Sequence, residues 1–295
     1  MNRKKGIIAI IISALGFSLM NLFIPLSGNL PTIQKSFFRN LIAFLVASFV
    51  LLKDYKSGNF SKADFKNVSF KILILRSILG TIGIYANYYA LDKLLISDAS
   101  VLNKIAPFST LIFSFLFLKE KLSRENIISI IIAFIGVIFV VKPSLSSSDI
   151  LPYLIGILGG LSAGAAYTSV RALNKRGVNS SLIVGFFSLF STLVSLPYLL
   201  FNYTKMSLTS FLCLVLVGVF ASIGQYGVTL AYKFAPSSEI SIFDYFTIIF
   251  TGIWGLLFLN QKPDILSLLG YVIIFSAVLI NFISNRKKQS LNSIN

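Results

Sequence analysis

The chain has 295 residues, 56% of them hydrophobic and only 12% charged, with a mean hydropathy of +0.85. So few polar side chains cannot cover a soluble surface, and with one cysteine, Cys213, and no histidine the chain has no disulfide framework, Cys/His metal site or histidine-based triad. Its net charge of +16 would suggest a nucleic-acid partner in a soluble protein, but here the charges fall between apolar blocks and read as membrane topology, so no nucleic acid is expected.

Apolar blocks of spanning length run over residues 6–27, 37–52, 70–91, 99–118 and 126–141, then 150–173, 182–201, 208–232, 240–259 and 265–284. The first exceeds the h-region of a signal peptide and no small-residue cleavage site closes it, so it reads as a retained span. Outer-membrane strands would alternate with a period of two, whereas these blocks are apolar all round. The expected class is therefore an all-α integral membrane protein of ten transmembrane helices.

With the amino terminus inside, 17 basic residues face the cytoplasm and 5 the other side, which satisfies the positive-inside rule and places both termini in the cytoplasm. A composition rich in Ile, Lys and Asn suits a bacterial source, and hence the inner membrane.

Residues 90–143 align with 231–284 without a gap at an offset of 141, pairing Ala90 with Ala231, Ser97 with Ser238, Asp98 with Glu239, Phe117 with Phe258 and Leu118 with Leu259. Five helices separate equivalent positions, an odd number, so the second copy enters the membrane from the opposite face. Such inverted repeats recur in secondary transporters, whose sites lie near the midplane between the halves. The organisation expected is a first five-helix repeat over 6–143, a second over 150–284 and a cytoplasmic tail over 285–295.

The stretch from Tyr88 to Pro143 carries Ala90-Leu91, the small residues from Ser97 to Ser100, Pro107, Glu120 and Gly136 at a spacing that resembles the EamA family of the drug/metabolite transporter superfamily. FFRNLIAFLVA, with Arg39, is similar to that family's second helix, and LSAGAAYTSVRAL to its sixth. The second copy departs, with Ile248 for Pro107, Gln261 for Glu120 and Ala277 for Gly136. The resemblance implies a ten-helix metabolite carrier built from two inverted five-helix EamA repeats, without fixing the substrate. LRSILG and FDYFTIIFTGIWGLLFLNQKPD add a weaker similarity to the family's S-adenosylmethionine carriers.

An ionisable side chain inside a span is a functional candidate by default. Asp244, on the ninth helix, is the one carboxylate well inside a span, suited to a substrate cation, a coupled proton or a structural pairing. Its repeat counterpart is Asn103, followed by Lys104, the one lysine inside a span. Together they suit a zwitterion, or they pair with each other until substrate competes. Arg39 and Arg76 can clamp a carboxylate or phosphate, or else sit near span ends and snorkel or pair with a gate carboxylate. Arg171 reads first as a topology anchor. Asp98 and Glu239, preceded by Ser97 and Ser238, fit helix caps, with a gate or coupling role as the second reading. Tyr85, Tyr88 and Tyr89 share a face of the third helix, as a wall of the site or as an interfacial belt. Gln225 and Tyr167 are further lining candidates, whereas Gly160 and Gly164 read as helix packing.

No nucleophile with its base, metal set or nucleotide loop is visible, so an enzyme is not expected, and neither is a cofactor. The expected function is secondary active transport of a small nitrogenous metabolite, amino-acid-like and zwitterionic or cationic, with S-adenosylmethionine one candidate. Energy then comes from a proton gradient or exchange. A multidrug or organic-cation exporter, a channel and a lipid scramblase are the alternatives, and monomer and dimer are both open.

Overall fold

The computed structural model describes residues 2–58, 60, 68–94, 96–143, 149–258 and 262–292, without the side chains of 91–92, 96–98, 100 and 285–292. The first half holds α1 (Arg3–Leu26), α2 (Thr32–Lys56), α3 (Phe70–Lys93), α4 (Ile96–Asn103), α5 (Ala106–Leu118) and α6 (Arg124–Val141). The second holds α7 (Leu151–Lys175), α8 (Ser180–Asn202), α9 (Leu208–Phe234), α10 (Ser237–Ile240), a 3-10 turn (Ser241–Tyr245), α11 (Phe246–Phe258) and α12 (Ile265–Asn292). Among the described residues there is no strand, and ten helical segments are long and apolar enough to cross a bilayer. The fourth span is α4 with α5, and the ninth is α10, the turn and α11. The chain is a multi-pass membrane protein.

Helix starts follow local chemistry. Asn2, Ser123, Asn179 and Ser207 accept backbone N–H bonds from the first turns of α1, α6, α8 and α9. Gly177, at φ 76°, ends the turn after α7 in the left-handed region that glycine tolerates best.

Four sequence expectations change. The second span begins at Thr32, not 37, because its polar start is satisfied: Gln34 donates to the Thr204 carbonyl at 2.8 Å and accepts from the Thr204 amide at 2.9 Å. Arg39 therefore lies seven residues inside the helix. The fourth and ninth spans, expected as continuous, are broken. Ser238 and Glu239 are not caps of the ninth, since α10 starts at Ser237 after Pro236 and makes no side-chain cap bond. The helix after Ser284, where a tail was expected, continues to Asn292.

The packing is that of a pseudo-twofold pair. Span one packs on span eight and, equivalently, span six on span three; spans two and seven, and spans five and ten, pack on each other. Each principal partner belongs to the other repeat, so neither repeat buries its apolar face alone. Small residues let the backbones approach. A Cβ on Gly16 would stand 2.7 Å from the Gly224 amide, and one on Gly270 would stand 2.6 Å from the Gly136 carbonyl. At the α5–α7 crossing Ser109 donates to the Gly160 carbonyl at 3.1 Å, and a Cβ on Gly164 would collide with the Ser109 side chain.

Gly164→Val should consequently lower thermal stability of the detergent-purified protein by about 1–3 kcal/mol, the usual range for overpacking. Gly185→Ala, whose Cβ would meet Ala47 Cβ at an ordinary 3.4 Å, should leave the melting midpoint nearly unchanged. Equal midpoints for the two variants would remove the close crossing from the packing account.

Candidate functional site

The two broken spans meet at the centre of the molecule. At the repeat offset of 141, α4 and α5 superpose on the α10–turn segment and on α11 to within one residue, so both spans break at the same point of the repeat. Lys104 and Tyr245 are equivalent by that offset, and the Tyr245 hydroxyl donates to the Lys104 carbonyl at 3.3 Å. Residues exchanged by a twofold axis touch only on the axis, so this contact marks it.

Beside it Lys104 Nζ lies 3.1 Å from Asp244 Oδ2 and 3.5 Å from the Asp244 carbonyl. The pair is mostly buried, with side-chain exposures of 11% and 16%. Pro107, in the first turn of α5, needs no amide partner there and favours the restart of the helix after the break. Lys104 is thus on a helix break, not midway along a continuous helix as the sequence suggested.

Tyr167 links this pair to two buried arginines. Arg39 is buried on α2 and donates through an Nη to Asn40 Oδ1 at 2.7 Å. Arg76 is buried on α3, with its guanidinium carbon 4.0 Å from the centroid of the Phe187 ring and an Nη 3.1 Å from Gln225 Oε1. Neither snorkels, and among the described residues neither has a carboxylate within ion-pair distance. Tyr167 lies within electrostatic reach of Arg39, Arg76 and Asp244, and Tyr88 within that of Arg39. The structure therefore gathers Arg39, Arg76, Lys104, Asp244, Tyr88, Tyr167 and Gln225.

Other candidates lie apart. The Tyr85 hydroxyl bonds the Ser195 hydroxyl at 2.6 Å on α8, so the three tyrosines do not form one wall of the centre. Asn103 is half-buried at the end of α4. Glu239 pairs with Arg3 at 3.3 Å near the start of α1. The side chain of Asp98, and Gln261, lie outside the described residues. A separate cavity of about 400 Å³ between α1, α2 and α9 is lined by apolar groups such as Ile12, Val219 and Ile223. No charged residue and none of the central ones lines it.

Sequence reasoning missed a buried network at the amino-terminal face. Lys119 takes a left-handed φ of 53° after α5 and turns Glu120 back under the helix, where the Glu120 amide donates to the Ser114 carbonyl at 3.2 Å. Glu120 Oε1 accepts from Arg171 Nε at 2.7 Å, and Oε2 accepts from the Ser237 amide at 2.9 Å. Arg171 also donates to the Tyr232 carbonyl at 2.7 Å, and Lys175 Nζ lies 3.3 Å from Glu120. Arg171, expected as a topology anchor, is buried and ties α7 to α5 and α9. The sequence did offer a signal: an acidic residue directly after one apolar block and an arginine near the end of another.

The opposite face is clasped by an exposed pair, Lys142 and Asp264. The Lys142 ammonium, with the Ser267 amide and hydroxyl, holds the Asp264 carboxyl down to about 2. A depressed carboxyl contributes above its ordinary value of 3.8 and loses that contribution only as pH falls through about 2, so this clasp stays intact between pH 5 and 8.

Both Glu120 and Arg171 side chains are only 5% exposed, and breaking such a pair from one side costs about 3–5 kcal/mol. Glu120→Gln should therefore loosen the amino-terminal face. In a Cys213→Ala background, a cysteine replacing the fully buried Ser237 should react slowly with N-ethylmaleimide, and faster once Glu120→Gln is added. Equal rates would show that the network does not close this face.

Comparison with known proteins agrees with this architecture. Residues 4–142 and 150–283 each match the model of the EamA-like transporter family. The pseudopaline exporter CntI of Pseudomonas aeruginosa is 27% identical over 93% of this chain and 94% of its own. An uncharacterized transporter of Helicobacter pylori is 25% identical, with 93% of each chain covered. Human solute carrier family 35 member G1 is 27% identical over 88% of this chain and 73% of its own. A solved crystal structure shares the fold at a TM-score of 0.84 and 13% identity, covering 97% of this chain and 99% of its own. The exporter, the uncharacterized transporter and the solute carrier are membrane transporters, not enzymes, and the chain belongs to the EamA-like transporter family.

Proposed function

We propose that the chain is a secondary active carrier of a small amino-acid-like metabolite, working by alternating access around the centre where the two broken spans meet. One observation carries this reading: an ion pair between the repeats, Lys104 with Asp244, beside the contact that marks the pseudo-twofold axis. Rocking one repeat against the other around that axis exposes the same residues to either face in turn. A substrate with both an acid and a cationic nitrogen can replace each partner of the pair with its own opposite charge, so that neither is left buried and bare.

Its carboxylate then faces Lys104 and its nitrogen faces Asp244, with Tyr167 near Asp244, Tyr88 near Arg39 and Gln225 against Arg76. Energy comes from a proton gradient or from exchange, for which Asp244 is the titratable group best placed. A relative that is named an exporter supports outward movement as the direction. Glu120 with Arg171, and Arg3 with Glu239, act as the gate on one side, and Lys142 with Asp264 as the clasp on the other.

The surplus of basic residues at the amino-terminal face supports a bacterial inner-membrane protein with both termini in the cytoplasm. In a Cys213→Ala background, Lys121→Cys should resist an impermeant thiol reagent in intact cells while Lys205→Cys, on the other side, should label. The reverse pattern would overturn this orientation.

Removing charge from the pair tests the site. Asp244→Asn should abolish uphill transport in proteoliposomes and lower stability, because the amide keeps the shape but leaves Lys104 without its counter-charge. Lys104→Met should weaken transport as well, and the two losses should be non-additive by roughly 0.5–3 kcal/mol in a double-mutant cycle. Wild-type accumulation by well-folded Asp244→Asn protein would sink the assignment.

A further inference from the structure

The charges at the centre do not balance. Arg39, Arg76 and Lys104 supply three cations, and among the described residues Asp244 alone supplies an anion within reach of any of them. Arg39 and Arg76 are 4% and 2% exposed, so water does not make up the difference. Their partners are neutral: Asn40 for Arg39, and Gln225 and the Phe187 ring for Arg76, whose Nε is buried with no acceptor. A guanidinium offers five N–H donors in a planar fork, and these contacts occupy few of them. The two arginines also lie within electrostatic range of each other, which adds repulsion to the cost of burial.

Two surplus positive charges inside a membrane protein are stable when something else brings the counter-charge. The Lys104–Asp244 pair answers to an acid and an amine, the head of any amino acid, and leaves both arginines unanswered. Each fork matches one further carboxylate. A doubly charged phosphate fits less well, because Asp244 repels it from the same space.

Building on the carrier reading above, we propose that the substrate is an acidic amphoteric metabolite, with a cationic nitrogen, three carboxylates and a net charge near −2, whose two extra carboxylates are held by Arg39 and Arg76. Net cations and neutral zwitterions are then poor ligands, since they leave the surplus in place. Phe187 and Gln225 orient Arg76, and Asn40 orients Arg39, so the forks are set before the ligand arrives.

The test uses full-length protein in detergent and a ladder of probes sharing one amine nitrogen: glycine with one carboxylate, iminodiacetate with two and nitrilotriacetate with three. They are compared in metal-free buffer at equal millimolar concentration and matched ionic strength, beside spermidine and pyrophosphate. A ligand raises the melting midpoint according to the logarithm of its excess over Kd. The midpoint should climb with the number of carboxylates, and spermidine should do nothing. In Arg39→Gln or Arg76→Gln, half-saturation by iminodiacetate should need about tenfold more ligand or beyond, the loss of one charge-assisted contact. Arg→Lys at either site should recover part of the binding, by keeping the charge without the fork. Should a Gln variant fail to fold, the Lys variants and the wild-type ladder decide.

The proposal is overturned by stabilisation with spermidine alone, by pyrophosphate outranking the amino-carboxylates, by no shift with any of them, or by well-folded Gln variants that bind as the wild type does. A carrier that loses counterflow in Lys104→Met and Asp244→Asn, yet keeps counterflow and iminodiacetate binding in both Arg→Gln variants, would retain the transport reading and lose this one.

Discussion

A helix that breaks within a bilayer frees backbone groups that hydrocarbon cannot satisfy, so a break survives only where protein surrounds it. Here two breaks surround each other. The Lys104 carbonyl is met by the Tyr245 hydroxyl, and the Asp244 carbonyl by the Thr247 hydroxyl at 2.7 Å and by Lys104 Nζ. The Ser237 carbonyl is met by the Ser241 hydroxyl at 2.7 Å. Everything else in the molecule arranges itself around that mutual repair: the spans cross so as to bring the breaks together, and the ionisable groups collect where the interruption leaves room for them.

The same logic separates the two ends. Glu120 and Arg171 are sealed in, each making several bonds, whereas Lys142 and Asp264 stand in the open, where a single pair contributes little. The resulting asymmetry is written on a nearly symmetric scaffold, because Glu120 has Gln261 as its repeat counterpart and the charge is not duplicated. Unequal ends give a carrier a preferred resting conformation, which a perfectly symmetric one would lack.

Most of the fold was legible because bilayer thickness is a strict ruler: a block such as 208–232 is too long and too apolar for anything but a span. The odd number of helices between repeats then settled the inversion. The start of α2 was not legible, since Gln34 and Ser36 look like loop until Thr204 is known to sit opposite. Breaks at Lys104 and Asp244 were hidden because each is stabilised by the other, 140 residues away. For the candidate centre, ionisable residues in apolar blocks pointed to Lys104, Asp244, Arg39 and Arg76. Which of them would pair depended on the crossings, and so did the place of Tyr85, drawn off to Ser195.

The interleaving of the repeats has a consequence for biosynthesis. Arg76 enters the membrane with the third span, but its neutral partner Gln225 follows 149 residues later. At the usual pace of translation that interval is about 7–30 s. During it Arg76 stands without its amide partner, and until α7, α8 and α9 follow, α3, α2 and α1 lack the helices that cover them. A chain of this design cannot mature one half at a time; its quality control has to tolerate a long, half-built intermediate, and degradation of slow variants would act on that intermediate rather than on the finished carrier.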